Sequence, residues 1–260
     1  MKFTIFGGQG FVGSGLVRYL TAQGFEVNIP SKDFVPQGEY LGRVIYSVGV
    51  TGDFKTRVLD TMRAHVGLTV DILEKTTFDS FVYLSSTRVY GTGNTFEDTD
   101  ICANPLQKDH LYNLSKLAGE SVCLSLEKKG VRVARLSNVY GDDLEAPNFL
   151  SSIMLAARLG RIAVRSSPQS AKDYVALEDV VRLLTLIAID GGDGVYNVAS
   201  GENVTNEEIV NQLREISGCD VHYDEGAPTS VNTPISIERI KKEFEFQPVR
   251  LLDVLPALMK

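Results

Sequence analysis

The segment KFTIFGGQGFVG, residues 2–13, joins a short β-rich run to a cluster of glycines. Apolar residues follow at helical spacing over 16–20, and a second β-rich run over 25–29 is stopped by Pro30. The sequence therefore predicts a strand, a glycine-rich turn, a helix and a second strand in immediate succession.

The same alternation continues along the chain and predicts a parallel sheet with helices on both faces. Between the second and third strand-like runs only about a dozen residues intervene, and they show no helical period. We therefore predict a doubly wound α/β fold that is abbreviated around its third strand. The predicted later strands cover 43–48, 81–85, 131–136 and 195–199, and the predicted later helices cover 62–76, 111–128, 180–189 and 205–217.

Composition excludes several classes of protein. The 260 residues are 43% hydrophobic and 23% charged, with a net charge of −7, so nucleic acid is not an expected partner. The three cysteines and three histidines form no cluster with metal-ligand spacing, and no metal site or disulfide framework is expected. His65 and His222 are interpreted as ordinary structural or surface residues. No segment has the length of a membrane span, and a reducing cytoplasm is the expected location.

The glycines of the first turn predict a dinucleotide site. Gly7, Gly10 and Gly13 follow a strand and open a helix, where the backbone can approach a pyrophosphate closely. The N–H groups at the helix start, including those of Phe11 and Val12, are free to donate to phosphate oxygens.

The end of the second strand bears on the choice of cofactor. Ser31 and Lys32 stand where NAD sites carry an acid, and a hydroxyl with a cation suits the 2′-phosphate of NADP. Asp33 is the acid of an NAD site if the strand is longer than predicted. NADP is the preferred expectation, and NAD is the alternative.

A candidate catalytic set comes from two further segments. Tyr112 and Lys116 are four residues apart on a predicted helix and so share one face. A nearby cation lowers the pKa of a tyrosine, which makes the pair suitable for acid–base work on a carbonyl or an alcohol. Ser86 follows the strand at 81–85, at the carboxyl edge where ligands of such sheets bind.

Together these segments resemble the extended short-chain dehydrogenase/reductases, in particular the NAD-dependent epimerase/dehydratase family that acts on nucleotide sugars. The resemblance spans nearly the whole chain. It rests on GGQGFVG (7–13), SSTRVYG (85–91), YNLSKLAGE (112–120), RLSNVYG (135–141), KDYVALEDV (172–180), VYNVASGENVT (195–205) and SIERIKKEFEFQPV (236–249).

The resemblance implies roles for the catalytic residues and their neighbours. Ser86 and Tyr112 would handle the substrate oxygen, Lys116 would assist Tyr112 and contact the cofactor ribose, and Gly49 would let the cofactor pass closely. Dehydratases carry Asp-Glu at the positions of Thr87 and Arg88, so dehydration is not expected, and these two residues are assigned to substrate binding.

The resemblance also implies a diphosphate site and an overall organisation. Asn138 and Lys172 match the diphosphate-binding positions, where Lys172 replaces the usual arginine, and Arg165 with Arg161 are further candidates. The implied domains are a dinucleotide-binding domain over 1–140 plus about 173–200 and a small C-terminal substrate lobe over 141–172 plus about 201–260. A homodimer through the helix that carries Tyr112 is expected.

The predicted function is an NADP-linked reductase of a nucleotide-diphosphate keto-sugar, with Tyr112 as the general acid. The alternatives are an NAD-dependent nucleotide-sugar epimerase, which would use the same catalytic residues, and a non-catalytic NAD(P)-binding protein of the same fold.

Overall fold

Six parallel strands form the central sheet of the protein, for which a computed structural model describes residues 1–144 and 148–260. Their order is β2-β1-β3-β4-β5-β9, and every neighbouring pair runs parallel. The predicted Rossmann-type sheet is therefore confirmed. The strands are β1 (Lys2–Phe6), β2 (Glu26–Asn28), β3 (Arg43–Tyr46), β4 (Ser80–Ser86), β5 (Val131–Leu136) and β9 (Gly194–Val198).

Helices cover both faces of this sheet because successive residues of each strand are apolar on opposite faces. Ile45 packs with α1 and α6 in one hydrophobic cluster, whereas the adjacent Tyr46 packs with α3 and α4 in another. A π-helical turn, Arg63–Gly67, joins α2 to α3, and a 3-10 turn, Thr87–Tyr90, follows β4. The helices beside the sheet are α1 (Phe11–Ala22), α2 (Val58–Met62), α3 (Leu68–Lys75), α4 (His110–Ser125) and α6 (Leu177–Asp190).

The connection from β2 to β3 contains neither a helix nor a strand of the sheet, as the sequence predicted. Residues 29–42 form turns and bends, with a single isolated bridge between Tyr40 and Thr77. Phe34 holds this connection against the sheet by packing edge-on against Phe6, with ring centroids 5.4 Å apart. The usual third strand and its helix are therefore absent from the described chain.

Beside the sheet, most of the remaining elements share a hydrophobic cluster of their own, here called the second cluster. The remaining elements comprise a three-stranded sheet of order β10-β8-β6, a two-stranded sheet β11-β7, and four helices. These elements are β6 (Asn138–Tyr140), β7 (Arg161–Val164), β8 (Ala171–Ala176), β10 (Asn203–Thr205), β11 (Asp220–Tyr223), α5 (Phe149–Arg158), α7 (Asn206–Ser217), α8 (Glu238–Phe244) and α9 (Leu251–Leu258).

The predicted domain boundaries remain predictions. Around α8, Ile237 and Ile240 pack with the core of the central sheet and not with the second cluster. The predicted lobe segment 141–172 includes residues 145–147, which lie outside the described residues.

Asp173 ties the second cluster to the central sheet. Its buried carboxylate accepts hydrogen bonds from the Ser137 hydroxyl at 2.5 Å, from the Ser200 N–H and hydroxyl at 3.0 and 2.9 Å, and from the Gly201 N–H at 2.7 Å. Burial raises the pKa of Asp173, and the four donors oppose that rise by stabilising the charged form. Strand β8 is thereby fixed to the segments that leave β5 and β9.

The packing of α4 predicts a difference between two helical glycines. A Cβ at Gly119 would lie 2.3 Å from the Tyr83 hydroxyl oxygen and 2.6 Å from the His65 carbonyl oxygen, whereas a Cβ at Gly67 would meet no atom within 4 Å. We expect Gly119→Ala to lower the free energy of unfolding by about 1–3 kcal/mol through overpacking. Gly67→Ala should be neutral or stabilising by up to about 1 kcal/mol. Urea denaturation followed by circular dichroism measures both, and equal stability of the two variants would contradict the close packing of α4.

Candidate active site

The turn between β1 and α1 forms a cradle of backbone atoms. Gly7 has a φ of 78°, which favours glycine, and a Cβ at Gly13 would lie 2.1 Å from the Gly7 carbonyl oxygen. Gly10 is the N-cap of α1, no side chain caps that helix, and its first turn contains no acidic residue. The N–H groups of Phe11 and Val12 are therefore available to an anion, and the cradle fits the pyrophosphate of a dinucleotide.

Gly49 lies beyond β3 and against the centre of the predicted catalytic set. A Cβ there would stand 3.5 Å from the Lys116 Nζ and 3.2 Å from the His65 Nε2. The absence of a side chain at this position keeps the approach to Lys116 open.

Ser31 and Lys32 lie on the exposed connection after β2. Among the described residues no side-chain hydrogen bond or ion pair engages either one, and Asp33 beside them is exposed in the same way. Both side chains are therefore free to meet a ligand at the edge of the sheet.

Ser86, Tyr112 and Lys116 come together where β4 ends against the first turns of α4. Burial raises the pKa of Tyr112, and a hydrogen bond with Ser86 followed by the charge of Arg88 acts in the opposite direction. The Lys116 ammonium donates to the Leu84 carbonyl oxygen at 2.9 Å. Burial lowers the pKa of Lys116 to about 7. The sequence led us to expect that Lys116 lowers the pKa of Tyr112, but the cation with that effect is Arg88.

Arg88 is an exposed cation without an ion-pair partner among the described residues. Its guanidinium carbon lies 5.3 Å from the ring centroids of both Phe54 and Tyr112. The backbone of Arg88 is also fixed, because its N–H donates to the Ser86 hydroxyl at 3.2 Å and its carbonyl accepts from the Asn113 amide at 3.1 Å. The charge is thus held by aromatic rings and remains available to an anionic ligand.

Lys172 in β8 is half-buried and close enough to Arg88 to feel its charge. Burial and then the charge of Arg88 lower the pKa of Lys172. Its ammonium lies 5.8 Å from the ring centroid of Phe149. Asn138 at the start of β6 donates one amide hydrogen to the Asp173 carbonyl oxygen at 2.8 Å, and no acceptor for its other amide hydrogen is found among the described residues.

The remaining candidates are Thr87, Arg161 and Arg165. Thr87 begins the 3-10 turn that also carries Arg88. Arg161 begins β7 and Arg165 directly follows it; both are exposed, and no hydrogen bond or ion pair within the described residues joins either one to the other candidates. The structure therefore keeps Thr87 beside Arg88 in the same turn and shows no contact of Arg165 with the other candidates.

Sequence reasoning missed two residues of the site, Phe54 and His65. The Phe54 ring lies 5.6 Å from that of Tyr112, and the His65 ring contacts Tyr112 edge-on at 5.5 Å between centroids. His65 is completely buried. Neither residue belongs to a motif. Both reach α4 only because the segment between β3 and α3 packs against that helix.

Among residues 1–144 and 148–260, no group of side chains could hold a metal ion. Within the same residues, no helix combines the length and the apolar character needed to cross a bilayer.

A parallel sheet with a glycine-rich first turn, and with Ser86, Tyr112 and Lys116 together at its carboxyl edge, is typical of the short-chain dehydrogenase/reductase class. The sequence profile of the NAD dependent epimerase/dehydratase family matches residues 43–199, so the chain belongs to that family. The predicted resemblance is thereby confirmed. The matched region begins at β3 and does not depend on the glycine-rich turn.

Relatives and a solved structure agree with this family. A dTDP-glucose 4,6-dehydratase from Streptomyces griseus is 30% identical over 194 residues, which cover 68% of this chain and 57% of that protein. An ADP-L-glycero-D-manno-heptose-6-epimerase from Pseudomonas aeruginosa is 28% identical over 255 residues, covering 80% of this chain and 76% of that protein. The structure of RMD from Pseudomonas aeruginosa complexed with NADPH has the same fold, with a TM-score of 0.81 at 22% identity over 100% of this chain and 98% of that chain.

The cradle generates a prediction that separates ligand approach from folding. A Cβ at Gly10 would have the Gly7 carbonyl oxygen, 3.4 Å away, as its only close neighbour, so the folded protein tolerates an alanine there. We expect Gly10→Ala to weaken binding of a nicotinamide dinucleotide by about tenfold or more, because the added methyl group enters the space of the pyrophosphate. Isothermal titration calorimetry measures this loss. Gly52→Ala, which meets no atom within 4 Å, is the control. Unchanged affinity in Gly10→Ala would place the pyrophosphate elsewhere.

Proposed function

We propose that the protein is an NADP-linked reductase of a nucleotide-diphosphate keto-sugar. The observation that carries the proposal is the cluster of half-buried Ser86 with buried Tyr112 and Lys116, beside Arg88, a cation without an ion-pair partner among the described residues. The cluster stands at the carboxyl edge of the parallel strands, where the glycine turn also opens. Membership of the epimerase/dehydratase family supports the same chemistry.

Tyr112 would protonate the keto oxygen of the sugar. When bound, a reduced nicotinamide supplies a hydride to the keto carbon. Burial raises the pKa of Tyr112, so the phenol keeps its proton at neutral pH and can donate it to the oxygen that becomes the alcohol. The Ser86 hydroxyl, which hydrogen-bonds Tyr112, would hold that same oxygen in place.

Lys116 would position the cofactor and adjust the charge of the site. Its ammonium is anchored on the Leu84 carbonyl and lies beside Gly49. Its lowered pKa, about 7, means that binding of an anionic cofactor or substrate favours the protonated form. Contact with the ribose hydroxyls would use the ammonium hydrogens that Leu84 leaves free.

The cations at the other end of the site suit a diphosphate. Arg88 and Lys172 are close enough for the charge of one to affect the other, and Asn138 offers an amide hydrogen. Thr87 and Arg165 are further candidate contacts. Thr87 and Arg88 also replace the acidic pair that dehydratases use, and neither can act as the acid or base of water elimination. A keto-sugar reduction is therefore favoured over dehydration.

The NAD-dependent epimerase is the second candidate. It is supported by the NAD-dependent family, by the relative that is an epimerase, and by Asp33 next to Lys32. An epimerase oxidises and re-reduces the sugar and so retains its cofactor, whereas a reductase exchanges it. The abbreviated third strand is the feature that favours a non-catalytic role. The buried tyrosine and lysine argue against it, because a binding protein does not need them beside the cofactor site.

We also propose a cytoplasmic homodimer that is formed through α4 and the neighbouring α2. Leu59 on α2 is 68% exposed and Leu124 on α4 is 43% exposed. These side chains lie on helices that pack against each other, so together they offer apolar surface to a second copy.

Replacement of Tyr112 tests the proton-transfer step. We expect Tyr112→Phe to lower kcat for reduction of a nucleotide keto-sugar by about 10²–10⁴-fold, because general acid catalysis is lost. Cofactor binding should remain, since the phenyl ring still packs against Phe54. Steady-state absorbance assays of NADPH oxidation measure kcat. Tyr223→Phe, on β11, is the matched control. Activity near that of the unchanged protein in Tyr112→Phe would overturn this mechanism.

Replacement of Lys32 tests the cofactor. We expect Lys32→Met to weaken NADPH binding by about tenfold, equivalent to ~1.4 kcal/mol, and to leave NADH binding unchanged. Fluorescence titration of each reduced cofactor measures both affinities, with Lys242→Met on α8 as a control for surface charge. An equal loss for both cofactors, or none, would contradict the NADP assignment. Tightly bound NAD released on denaturation of the purified protein would favour the epimerase.

A further inference from the structure

His65 lies in the π-helical turn Arg63–Gly67, at the point where this turn faces α4. Two tyrosines of the sheet hold the turn: Tyr46 donates to the Ala64 carbonyl, and Tyr83 donates to the His65 carbonyl at 2.9 Å. π-helical turns are rare and recur at functional sites. Here the turn places the His65 ring completely out of solvent.

Both ring nitrogens of His65 have defined partners. Nε2 lies 3.1 Å from the Val50 N–H, which can only donate, so Nε2 must be the unprotonated acceptor. Nδ1 lies 2.8 Å from the Ser115 hydroxyl oxygen and therefore carries the proton and donates it. The Ser115 hydroxyl in turn donates to the Tyr112 carbonyl oxygen at 2.8 Å. The donor and the acceptor of every hydrogen bond are therefore determined along the chain from Val50 through His65 and Ser115 to Tyr112.

These bonds connect the two halves of the site. Val50 follows Gly49, at the edge where the cofactor would pass, and Ser115 lies on α4 between Tyr112 and Lys116. The edge of the His65 ring also packs against the Tyr112 ring at 5.5 Å. A change at His65 would therefore alter the spacing between the cofactor loop and the catalytic helix.

The surroundings of His65 keep it neutral. Burial and then the charge of Lys116 lower the pKa of His65 to about 3. The titratable groups that face it are Lys116 and Tyr112 on α4 and Tyr83 on β4, and none of them is an acid that would stabilise an imidazolium. A neutral ring can accept from Val50 and donate to Ser115 at the same time, whereas an imidazolium could not accept.

We propose that His65 is a positioning residue that holds the Gly49–Val50 loop in register with Tyr112. The inference rests on the proposed function for the role of Tyr112. The His65 ring takes no part in proton transfer. It fixes, through Val50, the loop that would support the nicotinamide and, through Ser115, the first turns of α4.

The tautomer of His65 is measured in the free protein. Long-range proton–nitrogen correlation spectra should assign the ring proton to Nδ1 and show no titration of either nitrogen between pH 5 and 8. His222, which is exposed on β11, gives a second set of ring signals in the same spectra for comparison. A proton on Nε2, or titration of His65 in this range, would overturn the proposal.

Two substitutions separate the two bonds. His65→Gln can keep an acceptor near Val50 but loses the donor to Ser115, whereas His65→Asn can keep that donor and loses the acceptor. We expect His65→Gln and Ser115→Ala to lower kcat by about tenfold with cofactor affinity unchanged, because Tyr112 loses its orientation. His65→Asn should weaken cofactor binding by about tenfold. His222→Gln should change neither constant. Ser115→Ala removes only a hydroxyl, so this test remains if the His65 variants fail to fold.

The outcomes distinguish this proposal from the proposed function. If the unchanged protein binds NADPH but reduces no keto-sugar, the proposed function fails, while the tautomer and the affinity of His65→Asn still test His65. If the His65 variants fold and keep both kcat and cofactor affinity unchanged, His65 is only a residue of the core and the proposal is wrong. Equal losses of kcat and affinity in all three variants would likewise contradict separate roles for the two ring nitrogens.

Discussion

A buried ion pair between Glu120 and Arg135 fixes α4 on the central sheet. The Arg135 guanidinium donates to both carboxylate oxygens of Glu120, with the shortest bond at 2.7 Å, and both side chains are at most 5% exposed. Arg135 also donates to the Tyr90 hydroxyl at 2.8 Å, and Tyr90 donates to Asn197 at 2.7 Å. Burying two charges is costly, but here the remaining donors and acceptors are satisfied as well. The network therefore joins α4, β5, β9 and the turn after β4 in one arrangement.

The consequence of this arrangement is a fixed distance between the groups that would do the chemistry. Glu120 stands four residues after Lys116 and eight after Tyr112, so one face of α4 carries the anchor, the ammonium and the phenol in order. The turn anchored by Tyr90 is the one that carries Arg88 and follows Ser86. Removal of one partner of such a pair would leave an unpaired buried charge at a cost of about 3–5 kcal/mol. By fixing α4, the Glu120–Arg135 pair therefore also fixes the positions of Tyr112 and Lys116.

Sequence patterns predicted the elements whose structure is local or periodic. The strands of the sheet, the Tyr112–Lys116 spacing and the abbreviated third strand follow from hydrophobic period and length. The capping box of α7, in which Thr205 and Glu208 bond reciprocally, is likewise a local feature that depends on residue spacing alone. Strands β6, β7, β10 and β11 are three or four residues long and depend on partners distant in the chain, so no local pattern indicates them. The π-helical turn depends on hydroxyl groups supplied by β3 and β4, and for that reason His65 had no signal in the sequence.

The cations of the site show how a chain with net charge −7 can still bind an anion. A carboxylate partner would have fixed Arg88 in place but would have neutralised the charge that a diphosphate needs. The rings of Phe54 and Tyr112 orient the guanidinium without neutralising it. Lys172 is likewise close to an aromatic ring and has no acidic partner among the described residues. Burial lowers the pKa of both Lys116 and Lys172, which is a cost to the free protein that an anionic ligand relieves. An anionic ligand would thus meet charges that the fold holds by contact with aromatic rings and backbone carbonyls, and that have no ion-pair partner within the part of the chain that the structure describes.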